Sequence, residues 1–461
     1  MAVGAGVSED TAGAEIAPEG AGDGRRALSK ASWRLLPLIG LGYGIAYMDR
    51  ANIGYAALQM SVDLKFSATV YGFGGGVFFL SYALLEVPSN LMLLRFGARR
   101  WIARIMLTWG VLAMGMMFVR TPVQFYVMRF LLGAAEAGFF PGVVYYLTQW
   151  FPAHERGRAV SRFYVALPLS TVLMGVVAGA LLNLGGLLGL AGWQWLFLVE
   201  GMPAVLLGLA ILVLLPDSPA SAAWLTPAER NGIEALLAAD KARPGGPTDH
   251  GFVAALRDPR ILLLGLCNIC VMGGNYAFIL STPAMLRDVT HLDATRVGFL
   301  IALVGVLGAF AMVGAGWHSD RRRERQTHLI AYQLLLAFAY LAMWLWPVSS
   351  IYVSAYAISY AAQMAIQAVY FLIPGDFLRG KSAAAGLAAV GSIGMVGAFL
   401  GPYAWGLARD HTGSYQAGLL ALFVNYVVAA LVVIALRKMR AGEARRQAPV
   451  PGATPSVIPG E

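Results

Sequence analysis

The chain has 461 residues, 58% of them hydrophobic and only 13% charged, against roughly 25% charged residues in a soluble domain. A formal charge of +9 suits nucleic acid only where the basic residues cluster on a soluble face. Here they punctuate long apolar runs, which excludes a nucleic-acid binder and points to lipid.

Residues 1–32 are rich in Gly, Ala and acidic residues and contain no cleavable signal segment, so a disordered N-terminus is expected. Apolar runs follow at 35–57, 71–94, 101–119, 123–149, 159–186 and 193–215, and again at 261–286, 297–317, 328–347, 349–374, 382–408 and 416–436. Each approaches the ~20 residues that cross ~30 Å of hydrocarbon. Continuous runs, rather than ten-residue alternation, select helices over barrel strands. The expected fold is an all-α membrane protein of twelve transmembrane helices in two six-helix pseudo-symmetric halves, 33–215 and 261–440. The polar stretch 216–260 between them reads as a linker. Within it, Thr226-Pro227-Ala228-Glu229 is a capping box with proline at the first helical position. The short helix it opens has Ile233, Leu236 and Leu237 on its apolar face and ends at the Gly, Pro and Thr of 244–248. Residues 441–461 end in a Pro-rich tail expected to be disordered.

An even number of spans puts both termini on one side. Lys and Arg concentrate on that side, whereas the other holds Lys65, Arg120, Arg287, Arg296 and Arg409. The positive-inside rule therefore predicts that both termini are cytoplasmic. Cys267 and Cys270 have a CxxC spacing but lie inside an apolar span with no second ligand pair, so packing is expected, not a metal. The glycines at 72–76 and the series Gly386, Gly391, Gly394, Gly397 and Gly401 read as close helix contacts. No P-loop, H-E-x-x-H or nucleophile triad is present, so neither enzyme chemistry nor a cofactor is expected.

Six charged residues, Asp49, Arg50, Glu86, Arg129, Glu136 and Glu200, fall within or at the edge of spans, where each costs ~2.5–3.5 kcal/mol at a helix centre. Two readings compete: neutralised structural pairs, Asp49 with Arg50 and Arg129 with Glu136, or a shared transport site. The second is favoured because buried pairs stabilise weakly. Residues seven apart differ by about 20° around a helix, so Arg129 and Glu136 share a face, with Gly133 between them for close approach. Gly138, Pro141 and Gly142 allow that helix to bend. Tyr82 lies one turn before Glu86. Glu86 and Glu200, beside prolines and glycines, are read as helix-end residues.

The connections Arg95-Phe96-Gly97-Ala98-Arg99-Arg100 and Gly316-Trp317-His318-Ser319-Asp320-Arg321 resemble the G-x-x-x-D-R-x-G-R-R loop of the major facilitator superfamily; Leu94 replaces the acid in the first copy. Four further stretches are similar to its anion:cation symporter branch, whose members include carriers for tartrate, phthalate, sugar acids and sialic acid. They are Tyr47 to Gly54, Glu86 to Asn90, Arg129 to Gly142 and Trp195 to Gly201. The resemblance runs from Trp33 to about Arg440 and takes in Asp217-Ser218-Pro219.

It implies Arg50 as carboxylate clamp, Tyr47 and Tyr82 in the cavity wall, Asp49 and Glu136 as proton acceptors, and Arg129 as their partner. It also implies Arg95, Gly97, Arg99, Arg100, Asp320 and Arg321 as gating-loop residues. In the second half, Tyr370-Phe371 before Pro374, with Gly391 and Met395, replace hydrogen-bonding residues of that branch. Asn275, Tyr276, Gln363 and Gln367 are the remaining candidate polar contacts, for an aromatic or sparsely hydroxylated carboxylate. The expected partners are a small organic anion, protons and the bilayer, for a monomer in a bacterial inner membrane. The alternatives are an exporter or exchanger on the same scaffold, and a receptor that binds without transporting.

Overall fold

The computed structural model describes residues 21–242, 257–322, 324–376 and 380–447. It is an all-helical bundle. The first six crossings are made by α1 (Ala21–Leu64), α2 (Ala68–Phe96), α3 (Ala98–Gly115), α4 with α5 (Pro122–Glu136, Phe139–Thr148), α6 with α7 (Ala153–Tyr164, Ala166–Leu182) and α8 (Gly192–Leu214). Linker helix α9 (Pro227–Ala242) follows. The last six are α10 (Pro259–Thr290), α11 (Ala294–Arg322), α12 (Gln326–Leu345), α13 (Ser349–Tyr370), α14 (Gly380–Thr412) and α15 (Gln416–Gln447).

Among the described residues, nine helices are long and apolar enough to cross a bilayer by themselves. The other three crossings depart from that pattern for visible reasons: α1 carries Asp49 and Arg50, α7 is 17 residues long, and α13 is laced with Ser, Tyr and Gln. Two crossings break. The fourth breaks at Gly138, whose φ of +86° is left-handed and favours glycine; a Cβ there would meet Ser89 Oγ at 2.4 Å. The fifth breaks at Val165, three residues before Pro168, which lacks a backbone N–H.

Two expectations are corrected. Residues 21–32 are helical, the start of a 44-residue α1 that at 1.5 Å per residue is about 66 Å long and outruns the hydrocarbon. Residues 441–447 likewise continue α15. Residues 1–20, 448–461 and the 244–248 helix stop lie outside the described residues.

The projecting end of α1 has a partner. Thr226 caps α9, its Oγ accepting from Glu229 N–H at 3.3 Å while Glu229 accepts from Thr226 N–H at 3.0 Å. Lys30 pairs with Glu229 at 2.6 Å and Ile233 is fully buried. Lys30, and after it the Thr226 amide, hold the Glu229 carboxyl below the usual glutamate range. That contribution is therefore present above the ordinary glutamate value and lost as pH falls through the lowered one. Hydrogen exchange over 227–242 is expected to accelerate there, and Glu229→Gln to remove the pH dependence.

The two sets of six helices meet at the end of the bundle away from α9. A Cβ on Gly72 of α2 would lie 2.1 Å from Pro402 O of α14, and one on Gly298 of α11 would lie 2.1 Å from Gly175 O of α7. Asp410 accepts from the N–H groups of Ala68 and Thr69 at 3.0 and 2.8 Å, and Asn183 donates to Thr295 at 2.8 Å. Only glycine permits such backbone approach. Gly298→Val is therefore expected to wedge this end apart, slowing disulfide cross-linking of an Asn183→Cys, Thr295→Cys pair at least tenfold relative to the same pair with Gly298 retained.

Candidate functional site

Consecutive helical residues diverge by about 100°, so Asp49 and Arg50 leave α1 toward different neighbours. Arg50 points to α4: its Nε and Nη2 donate to a single oxygen, Oε1 of Glu136, at 3.0 and 2.5 Å. Its guanidinium lies 5.2 Å from the Tyr47 ring centroid, 5.3 Å from Tyr82 and 5.9 Å from Phe78, within the range of cation–π attraction. Tyr276 of α10 stands within electrostatic reach of Arg50, its ring 4.0 Å from Phe79. One cation thus gathers aromatic rings from both halves. Its side chain keeps 12% exposure, against 0% for Glu136.

Arg129 is set deeper, 1% exposed. It donates from Nε to Gly74 O at 3.2 Å and lies 4.7 Å over Phe78, while Nη1 has no hydrogen-bond partner. Close packing of α4 on α2 puts it there: a Cβ on Gly133 would sit 2.1 Å from Phe78 O. Arg129 and Glu136 do share one face, but the ion pair runs from Glu136 to Arg50. Asp49 accepts from Asn52 at 3.2 Å through Oδ1, and its Oδ2 has no partner; of the two arginines, Arg129 acts on it more strongly. Neither structural pairing weighed against a shared site, Asp49 with Arg50 or Arg129 with Glu136, is an ion pair among the described residues; the helix rotation that brings Arg50 to Glu136 turns Asp49 away.

Neither Glu86 nor Glu200 is a helix-end residue. Glu86 sits ten residues before the end of α2, half-buried and acting electrostatically on Arg50. Glu200 is in the middle of α8, 6% exposed, with both carboxyl oxygens unpartnered. Phe78, under both guanidinium groups, was legible only as the residue one turn before Tyr82. Asn52, one turn after Asp49, carries no sequence signal beyond that spacing.

In the second half, Gln363 accepts from Tyr426 OH at 3.0 Å and is buried. Tyr370 OH is spent on Leu264 O, and Gln333 Nε2 donates to Cys267 Sγ at 3.2 Å. Asn275 and Gln367 are half-buried, and no described contact joins either to Arg50.

The loop residues are tied more simply. Arg95 lies over Phe96, and Gly97, φ +86°, separates α2 from α3. The acid absent at Leu94 is supplied by Asp217 beyond α8, which accepts from Arg99 N–H at 3.0 Å and pairs with its side chain at 3.6 Å. Arg100 is exposed. In the second copy Asp320 pairs with Arg325 at 3.5 Å, whereas Arg321 lies over Trp317.

Twelve membrane-crossing helices in two sets, with a charged and aromatic cluster between them, define a polytopic carrier scaffold. The model of the Major Facilitator Superfamily matches residues 39–402, and the chain belongs to that family: it is a multi-pass membrane transporter. It is 44% identical to a protein of Agrobacterium vitis named "Putative tartrate transporter", over 89% of each chain. It is 38% identical to the "Quinolone resistance transporter" of Acinetobacter baumannii, over 85% of this chain and 91% of that one. Its fold matches a solved bacterial homologue of the human lysosomal transporter Spinster, in an inward-facing and unoccupied conformation. That match has a TM-score of 0.74 at 18% identity, over 89% of this chain and 98% of the other.

Proposed function

We propose that the chain is a proton-coupled symporter that takes up a small organic anion, an aromatic or sparsely hydroxylated carboxylate, by alternating access. It works as a monomer in a bacterial inner membrane with both termini cytoplasmic. The observation that carries this reading is the double hydrogen bond from Arg50 to one oxygen of Glu136 inside a ring of aromatic side chains. With Glu136 ionised, the Nε–Nη2 edge of the guanidinium is occupied. Protonation of Glu136 weakens that hold and frees Nε and Nη2 for the two parallel bonds of a substrate carboxylate. Proton binding thus precedes and licenses substrate binding, and Tyr47, Tyr82 and Tyr276 offer faces for an aromatic or apolar body. Arg129, shielded from the exposed side of the site, serves as the counter-charge to Asp49.

The coupling matters energetically, since an anion entering a negative interior climbs ~2.3 kcal/mol per charge per 100 mV. One proton per monoanion makes the cycle electroneutral. The name of the Agrobacterium vitis relative, a tartrate transporter, supports a carboxylate substrate. A thermal-shift screen of the purified protein against carboxylic acids, followed by proteoliposome uptake under an imposed proton gradient, tests the reading. Stabilisation by no carboxylate, or uptake indifferent to the gradient, overturns it.

A second reading, export, is favoured by the name of the Acinetobacter baumannii relative, a quinolone resistance transporter. Accumulation in inverted vesicles energised with protons inside would decide for it. Counterflow of labelled substrate excludes a receptor that binds without transporting.

A further inference from the structure

Glu200 has no role in the cycle just proposed, yet it occupies a distinctive setting. The buried oxygen and nitrogen atoms that lack a hydrogen-bond partner include both Glu200 oxygens, Asp49 Oδ2, Asn52 Oδ1, Trp109 Nε1 and Tyr55 OH. These belong to one neighbourhood: Glu200 interacts electrostatically with Asp49 and Tyr55, Asn52 faces both acids, and the Trp109 indole N–H faces Asp49. Every member is at most 6% exposed.

The backbone holds the cluster still. Gly201, next to Glu200, presses on α3 so closely that a Cβ would lie 2.8 Å from Gly110 O. The α8 backbone beside Glu200 is therefore held against α3. The groups that face it from each packed element are few. From α1 come Asp49, Asn52 and Tyr55. From α3 comes Trp109; Arg104 of the same helix is stacked at 4.0 Å over Trp101. The α7 helix and residues 116–118 contain no ionisable side chain.

A charge count then decides the state of Glu200. Three buried acids, Asp49, Glu136 and Glu200, share two arginines; Arg50 is bound to Glu136, and Arg129 faces Asp49. Among the described residues no cation remains for Glu200, and an isolated buried carboxylate is far costlier than a neutral carboxylic acid. We infer that Glu200 carries a resident proton as a neutral carboxylic acid and shares it, beside the Asn52 amide, with the Asp49 carboxylate. Glu200 is thus a positioning residue whose O–H sets how readily Asp49 accepts the coupling proton. The inference rests on the proposed role of Asp49 for its transport consequence, but not for the presence of the proton.

Infrared spectroscopy of the purified protein reads that proton directly. At about pH 8, where ordinary carboxyl groups are ionised, a protonated-carboxyl C=O band that shifts in D₂O is expected, and Glu200→Gln is expected to remove it. Absence of the band, or its survival in Glu200→Gln, overturns the inference whether or not the protein couples transport to protons. For transport, Glu200→Leu deletes the O–H donor, so Asp49 should hold its proton to higher pH and the pH profile of uptake should move alkaline by about one unit. Glu200→Gln, which keeps an N–H donor, should shift it less, with counterflow within severalfold of the parent as the check on folding. A Leu variant with the parent's profile overturns the coupling to Asp49. If the Leu variant does not fold, the band and the profile of the Gln variant decide. A band that behaves as expected in a protein without proton-dependent uptake leaves Glu200 in place and sinks the symport reading alone.

Discussion

Replacing Arg50 with lysine is expected to weaken binding of the carboxylate that the screen identifies by about 30- to 150-fold while leaving a folded protein. Lysine keeps the positive charge, so Glu136 is not stranded; Arg50→Ala would leave a buried carboxylate unpaired, at a cost of about 3–5 kcal/mol. What lysine removes is the planar fork. A guanidinium can offer two parallel N–H donors to one carboxylate and lie across aromatic faces, whereas an ammonium is a compact, strongly hydrated point charge. Losing one charge-assisted hydrogen bond and part of the aromatic contact amounts to about 2–3 kcal/mol, which converts to the stated loss at 1.4 kcal/mol per decade. The dissociation constant by radioligand binding, with thermal stability as control, reads it. Unchanged affinity removes Arg50 from the clamp.

Glu136→Gln is expected to abolish accumulation against a gradient and to leave exchange running. The glutamine carbonyl still accepts from Arg50 but binds no proton, so the inhibited and licensed states no longer differ by a protonation. Substrate equilibrates instead of concentrating: uptake driven by an acidic exterior should fall from many-fold accumulation to an inside-to-outside ratio near one, with counterflow preserved. Asp49→Asn tests the second acceptor in the same assay. If both variants still concentrate substrate, neither acid carries the coupling proton. The two differ in one respect: Glu136 touches Arg50 directly, so its loss should also flatten the pH dependence of substrate affinity, whereas the loss of Asp49 should not.

Much of the site was legible in the sequence because helical periodicity is strict. The seven-residue spacing of Arg129 and Glu136 gave their common face, and Gly133 between them lies where α2 and α4 come together. The capping box at Thr226 and the break near Gly138 are local, set by side-chain-to-backbone bonds and by glycine's access to left-handed φ. Local chemistry also explains why α9 begins at Pro227.

The partners were not legible. Asp49 and Arg50 are adjacent in the chain and look like a pair, but a helix turns them onto different neighbours. Which acid meets Arg50 depends on how α1 is rotated against α4, and apolar packing spread over the bundle sets that rotation. The local sequence around Glu86 and Glu200 misleads for a related reason. Pro88, Gly201 and Pro203 read as helix ends, yet α2 and α8 run through them, since neighbouring helices and side chains can re-satisfy freed backbone groups in a membrane protein. The acid in the first loop, Asp217, is more than a hundred residues from the arginine it binds, beyond any motif centred on residues 94–100.

The sequence by itself determined that the chain lives in lipid, that it crosses as helices, that a handful of charged residues lie inside its spans and that glycines mark the tight crossings. These follow from solvation and from the 3.6-residue repeat, which act on each segment alone. Only the tertiary structure decided the assignments: Glu136 to Arg50, Asn52 to Asp49, Asp217 to Arg99, Tyr276 to the first-half site, and Glu200 to no cation among the described residues. Buried charges are settled by whichever opposite charge or dipole packing brings within a few ångströms, and that is a property of the assembled bundle.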